Sequence, residues 1–299
     1  MAAPSGRTPS ITGRTRLCGI LGLPLDHTLS PRMHNAAFAA LGLDWAYLPW
    51  PVAPERLGEV LRGLRGLANF AGANVTIPHK EAVLRHLDAL TDEARAVGAV
   101  NTIVREGDRL AGHTTDGVGL LAALAEAVGF HPQGACVVIL GAGGAGRAAA
   151  FALAAAGARK IAILNRSVER AQALAADVGR AAGSAALAAY SLHATAHGQI
   201  LDSADIVINA TSLGMHTGDP SPLDLALCRP GTVAFDMIYH PPETAFLREA
   251  RGRGLRTANG LGMLVHQGAA AFALWTGRTA PLEIMRRALA PVETPVETP

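Results

Sequence analysis

Aromatic side chains are scarce in this chain, 4% of 299 residues, and charge of either sign is nearly balanced, with 26 lysines and arginines against 24 aspartates and glutamates. Without a basic stripe or a series of rings, the sequence offers nucleic acid neither an electrostatic groove nor a stacking platform. Cysteine is sparse as well. Cys18, Cys136 and Cys228 are odd in number, widely spaced and lack a C-x-x-C partner, which excludes a disulfide framework, argues against a bound metal and fits a reducing, cytoplasmic setting. Long hydrophobic runs are missing too, because Arg147 or Gly157 interrupts the best of them, so no membrane partner is expected. What is present is a 49% hydrophobic share, ample for the core of one large or two ordinary domains that act on a small molecule.

The two ends carry little structural information. Residues 1–15 hold Arg7, Arg14 and several Ser and Thr with no acid, a composition shared with transit peptides, and are read as a disordered extension. Residues 291–299 form a short Pro/Glu repeat that cannot bury a core and are read as a disordered tail.

The most informative stretch runs from Cys136 to Phe151, an apolar strand pattern, a glycine turn and an alanine-rich helix pattern. Gly141, Gly143 and Gly146 fit G-x-G-x-x-G, where the first glycine makes the turn, the second admits a pyrophosphate and the third packs helix on strand. Exposed N–H groups at such a helix start favour an anion. A second apolar run, Lys160–Asn165, follows after one helix, with Asn165, Arg166 and Ser167 at the position that reads the ribose. An acid there would select NAD. Arg166 and Arg170 instead offer guanidinium groups to a 2′-phosphate, which favours NADP, although both would also suit a solvated helix start. Residues 204–209 and 232–236 read as further buried strands, so their C-terminal loops bring Thr211, Met237 and Tyr239 to the crevice of the glycine turn. The alternation demands a doubly wound parallel sheet over residues 118–256.

Ahead of it, residues 16–117 read as a smaller α/β domain. Thr28 and Ser30 precede a helix opened by Pro31 and suit either capping or an anionic ligand. Asn74 and Thr76 alternate with Val75 and Ile77, and Pro78 is expected to start a helix. Lys80 would then sit in a first turn, where the macrodipole disfavours its charge, which makes it either a solvated lysine or a candidate proton carrier. Asn101 suits a turn. Asp116 precedes a helical pattern and would serve as its N-cap. Gln267 stands in an apolar helix of residues 257–290, expected to return to the first domain, and either meets solvent or serves a ligand.

Taken together, Gly22-x-Pro24-x-x-His27-Thr28-x-Ser30-Pro31-x-x-His34-Asn35, Asn74-Val-Thr76-Ile-Pro-His-Lys80, Gly98-Ala-Val-Asn101-Thr102 and Thr115-Asp116-Gly117 resemble, in order, the motifs of the shikimate dehydrogenase family. The glycine turn, Asn165-Arg166-Ser167, the segments 209–215 and 236–239, and 262–268 with Trp275-Thr-Gly277 resemble it as well, so that the likeness spans residues 16–288. It implies an N-terminal α/β substrate domain and a Rossmann-type NADP domain, and reversible NADP-dependent reduction of 3-dehydroshikimate to shikimate in aromatic amino-acid biosynthesis. By the same resemblance Lys80 and Asp116 form the catalytic dyad, Thr28 and Ser30 bind the substrate carboxylate, and Thr76, Asn101, Tyr239 and Gln267 surround the ring. The cofactor set comprises Gly141, Ala142, Gly143, Gly144, Ala145, Asn165, Arg166, Ser167, Arg170, Thr211, Met237 and Gly260.

Three positions depart from the family pattern. Thr28 replaces a common serine, Thr114 an asparagine and His79 an aromatic residue. Quinate and aminoshikimate dehydrogenases share the scaffold and remain alternatives, with quinate ranked below shikimate because the Thr28 methyl narrows the pocket. A noncatalytic NADP-binding module is the alternative of another class, one that would not need Lys80 and Asp116 together. Monomer and homodimer are both compatible with the sequence.

Overall fold

The computed structural model describes residues 11–182, 185–193 and 197–290 and contains two six-stranded sheets. The first uses β1 (Arg16–Gly22), β2 (Trp45–Pro51), β3 (Phe70–Val75), β4 (Ala89–Leu90), β5 (Thr102–Glu106) and β6 (Arg109–His113), in the order β2-β1-β3-β5-β6-β4. β1 pairs in parallel with β2 and β3, because α1 (Ser30–Ala40) and α2 (Leu57–Gly66) provide the crossovers. β5 runs antiparallel to both β3 and β6; the reversal between β5 and β6 is made by Gly107, at a φ of 63°. A short helix, α3 (Asp92–Val97), precedes β5.

The second sheet is wholly parallel. Its strands are β7 (Cys136–Leu140), β8 (Lys160–Asn165), β9 (Ala186–Ser191), β10 (Ile206–Asn209), β11 (Val233–Asp236) and β12 (Arg256–Ala258), in the order β12-β11-β10-β7-β8-β9. The chain winds outward from β7 through β8 and β9, then restarts on the other side at β10. The resulting switch point lies beside β7, whose C-terminal end carries the glycine turn. Val137 and Ile139 face one core and Val138 and Leu140 another, so both faces of the sheet are buried. α4 (Asp116–Val128), α5 (Gly144–Ala155) and α6 (Val168–Ala181) cover the first face, and α7 (Gly198–Asp202) and α8 (Ala245–Gly252) the second.

The chain then returns. α9 (Leu261–Thr276) packs Val265, Phe272 and Trp275 into the core of the first sheet beside α1, and Trp275 Nε1 donates to the Ile103 carbonyl at 2.9 Å. α10 (Leu282–Leu289) closes the same cluster with Met285 and Leu289. α9 also crosses α4 so closely that a Cβ on Gly119 would lie 2.7 Å from Gln267 Cβ and 2.9 Å from its backbone nitrogen.

Several elements differ from the sequence expectation. Residues 12–15 are not part of a disordered extension: Thr12 and Thr15 both hydrogen-bond the Asp44 carboxylate, and Thr15 is buried. Residues 1–10 and the Pro/Glu repeat over 291–299 lie outside the described residues. No helix starts at Pro78. The chain turns instead, because the His79 ring is buried with Nε2 at 2.7 Å from the Val52 carbonyl, and a short 3₁₀ segment follows only over Ala82–His86. Lys80 is therefore not in a helical first turn, and the macrodipole argument does not apply to it. β9 and β12 were not apparent from pattern, the first because it is alanine-rich and half-buried, the second because it has three residues.

Candidate active site

The two sheets meet where the loop after β3 faces the glycine turn. Gly144, the first residue of α5, lies against the stem of Lys80: a Cβ there would come within 2.9 Å of Lys80 Cβ and 3.2 Å of Cδ. On the flank, Arg147 of α5 donates through Nε to the carbonyl of Val97 at the end of α3, and its Nη2 pairs with Asp177 at 2.7 Å. Arg170 of α6 reaches Glu81 at 2.9 Å. The halves thus touch through backbone, stem and ion pair along one edge of the cleft.

Inside the cleft, Lys80 Nζ donates to Asp116 Oδ2 at 2.5 Å. Asp116 opens α4 but does not cap it; Thr115 occupies the N-cap position, and the carboxylate turns toward Lys80 and Asn101. Asn101 Nδ2 donates to Asp116 Oδ1 at 2.8 Å and lies 2.9 Å from Thr115 Oγ1 and 3.2 Å from Gln267 Oε1. The amide oxygen of Asn101 accepts from the Thr115 backbone at 2.7 Å. Both carboxylate oxygens of Asp116 are thereby satisfied while the residue is only 5% exposed, which a buried charge requires.

The network continues into the first sheet. Asn74 Nδ2 donates to the Asn101 carbonyl and Thr102 Oγ1, both at 3.2 Å, and Tyr47 Oη donates to Asn74 Oδ1 at 2.7 Å. Tyr47 in turn lies within hydrogen-bonding reach of the Ser30 hydroxyl, and burial pushes its phenol pKa up. Ser30 is buried in α1 and does not cap it; Thr28 Oγ1 accepts only a long bond, 3.4 Å, from the Ser30 backbone. Tyr239 comes from the second sheet to lie against Thr28 and the Leu29 backbone, and burial raises its pKa as well. At the rim, His27 and His240 stack with centroids 4.7 Å apart. Thr76 is half-buried, and its hydroxyl has no partner among the described residues. Asn74, Tyr47 and Thr115 were absent from the sequence-based set; the polar face shared by Asn74 and Thr76 was the available signal.

A dinucleotide fits the glycine turn. Gly141 adopts a φ of 105°, a Cβ on Gly146 would strike the Gly141 carbonyl oxygen at 2.1 Å, and nothing lies within 4 Å of a Cβ on Gly143, so the turn is tight behind and open in front. Asn165 Oδ1 accepts from the Ala142 backbone at 3.2 Å and holds the turn to the end of β8. Ser167 caps α6 and donates to Glu169 at 2.6 Å. Arg166 is exposed and has no partner among the described residues. The Thr211 hydroxyl donates to Asn209 Oδ1 at 2.7 Å and accepts from the Leu213 backbone nitrogen at 3.1 Å, so it shapes its own loop. Asn209 also donates to the fully buried Asp236 at 3.1 Å, whose other oxygen takes Thr244 at 2.6 Å; burial raises the Asp236 pKa. Met237 and Gly260 meet, since a Cβ on Gly260 would lie 2.0 Å from the Met237 carbonyl oxygen. Ala142 and Ala145 belong to the turn and to the first turn of α5.

Among the described residues no helix is long and apolar enough to cross a membrane. A sequence model for the shikimate dehydrogenase substrate binding domain matches residues 20–103, one for shikimate / quinate 5-dehydrogenase matches 123–217, and one for the shikimate 5′-dehydrogenase C-terminal domain matches 260–290. The shikimate dehydrogenase (NADP(+)) of Citrifermentans bemidjiense is 47% identical over 281 residues, covering 94% of this chain and 97% of the relative. That of Moorella thermoacetica is 50% identical over 280 residues, covering 93% and 94%. The crystal structure of shikimate 5-dehydrogenase from Thermus thermophilus in complex with NADP(H) and shikimate is 40% identical, with a TM-score of 0.80 and coverage of 92% of this chain and 98% of that one.

Proposed function

The chain belongs to the shikimate dehydrogenase family, and we propose that it catalyses the reversible NADP-dependent reduction of 3-dehydroshikimate to shikimate. The observation that carries the reading is the 2.5 Å contact between Lys80 and Asp116 at the junction of the two sheets, beside a glycine turn that a dinucleotide fits. A noncatalytic module needs the turn but not the pair. In this reading residues 16–117, with the helices of 257–290, form the substrate side and residues 118–256 the NADP side.

Gly141 to Ala145 would hold the pyrophosphate, Asn165, Arg166, Ser167 and Arg170 the phosphorylated ribose, and Thr211, Met237 and Gly260 the nicotinamide end. Bound there, NADPH supplies the hydride in one direction and NADP takes it up in the other. The protein's own task is the proton and the orientation of the ring. Lys80 donates a proton from Nζ to the ring oxygen as the ketone becomes an alcohol, and receives it in reverse, a role typically worth about 10²–10⁴-fold in rate. Asp116 holds Nζ through Oδ2, and Asn101 holds Asp116 through Oδ1, so the donor is aimed before substrate arrives. Thr28 and Ser30 offer hydroxyls to the carboxylate, and Thr76, Asn101, Tyr239 and Gln267 offer polar groups to the ring hydroxyls. His79 does not discriminate among substrates in this reading, because its ring points at the Val52 carbonyl.

The direct test follows reduction of NADP by the purified protein with shikimate and quinate side by side, and with NAD as the cofactor control. Turnover with shikimate and NADP is expected. A preference for quinate or NAD would overturn the assigned substrate or cofactor, and no turnover with either acid would overturn the shikimate reading in favour of an aminoshikimate dehydrogenase or a noncatalytic module.

A further inference from the structure

The four residues expected around the phosphorylated ribose do not stand equally free. Asn165 is engaged with the Ala142 and Ser167 backbones, and Ser167 caps α6. Arg166 alone has no partner among the described residues. Arg170 is already paired: its Nη2 lies 2.9 Å from Glu81 Oε1, 3.3 Å from Glu81 Oε2 and 3.4 Å from the Ala142 carbonyl oxygen. Glu81 comes from the other half of the molecule and immediately follows Lys80 in the chain, so this contact crosses the cleft. The side chains are 55% and 46% exposed, which makes the pair exchangeable with solvent ions and unlike the more buried Arg147–Asp177 pair beside it.

A guanidinium grips a carboxylate and a phosphate with the same planar donors. Glu81 therefore occupies donor capacity that a phosphate on Arg170 would use, and a phosphate bound there would also face the Glu81 anion across a few ångströms. A ribose with a free 2′-hydroxyl meets neither penalty. Resting on the reading that the cofactor is NADP, we propose that Glu81 acts through Arg170 as a competing counter-ion that lowers the affinity for a 2′-phosphate and so sets the strength of NADP preference. Glu81 touches neither the reacting atoms nor the ribose; its whole effect passes through one arginine.

The experiment titrates the full-length protein with 2′,5′-ADP and with 5′-AMP, which differ only in the phosphate at issue, for the unaltered chain, Glu81→Gln and Glu81→Asp. Glu81→Gln is expected to bind 2′,5′-ADP about two- to fivefold more tightly with 5′-AMP affinity unchanged, the size of an exposed charge–charge effect. The gain shrinks as salt rises from about 0.05 to about 0.5 M. Glu81→Asp, which keeps the charge, retains the unaltered protein's discrimination between the two ligands. Equal affinities before and after Glu81→Gln, an equal change for both ligands, or weaker binding of 2′,5′-ADP overturns the proposal. Failure of the unaltered protein itself to prefer 2′,5′-ADP over 5′-AMP overturns the NADP reading and the proposal with it, and is recognised without any variant.

Discussion

Gly144 and Lys80 are in contact across the cleft: the first residue of the helix behind the glycine turn has no side chain where the stem of Lys80 passes, and a Cβ would lie 2.9 Å from Lys80 Cβ. The turn that is expected to receive the cofactor is thus also one wall of the lysine's channel. Gly144→Ala pushes the stem by a few tenths of an ångström or more and moves Nζ relative to Asp116. Because small misplacements of reacting groups are costly, kcat at saturating shikimate and NADP is expected to fall about 10- to 100-fold, together with a loss of stability of about 1–3 kcal/mol from overpacking. Steady-state kinetics and a thermal melt check this, and an unchanged kcat contradicts it.

Gly119 plays a comparable part between α4 and α9. An added methyl would press on Gln267 Cβ at 2.7 Å and on the backbone of α9, so the helix must move. Gly119→Ala is expected to destabilise the protein by about 1–3 kcal/mol, as overpacking does, and to raise KM for shikimate by displacing Gln267. Chemical denaturation and KM measured on the same preparation test both parts.

His34 makes the protein acid-sensitive. Its ring is wholly buried against Tyr47, with centroids 4.4 Å apart, neither nitrogen has a partner among the described residues, and burial lowers its pKa from 6.5 to about 3. The folded-state pKa is depressed, so between pH 6.5 and about 3 the unfolded chain binds the extra proton, and stability falls as pH falls through that window. Between pH 7 and pH 5 this one residue accounts for about 2 kcal/mol of loss, by linkage at about 1.4 kcal/mol per pH unit. His34→Leu is expected to lose about that much less over the same interval, whatever its absolute stability at pH 7. Urea midpoints at the two pH values measure it, and identical losses in both proteins count against it.

What the sequence made legible was what is encoded locally. Gly141 and Gly146 could be read because a turn and a close approach each need glycine within a few residues, and the end of β8 follows the turn at a fixed spacing. The helix expected from Pro78 failed because the turn is held by a distant group, the Val52 carbonyl against His79, which no local pattern contains. The same is true of Asp116. Its place before a helical pattern suggests a cap, whereas its carboxylate answers to Lys80 and Asn101, each brought from another element. The role of Asn74, legible only as a polar position beside Thr76, and that of Tyr47 depend on a distant partner in the same way: β3 is buried along its whole length, so a polar side chain there is part of an internal network that only the pairing of β2, β1, β3 and β5 assembles. The Glu81–Arg170 contact joins residues 89 positions apart and has no motif at all.

The proposed reaction turns on Lys80 carrying the proton while other residues hold the cofactor. The decisive experiment compares Lys80→Ala with the unaltered protein in shikimate-dependent NADP reduction, while titrating both with NADP. Turnover is expected to fall by about 10²–10⁴-fold while NADP affinity stays within about twofold. Retained turnover in Lys80→Ala would refute the assignment, as would loss of NADP binding in parallel with the loss of rate.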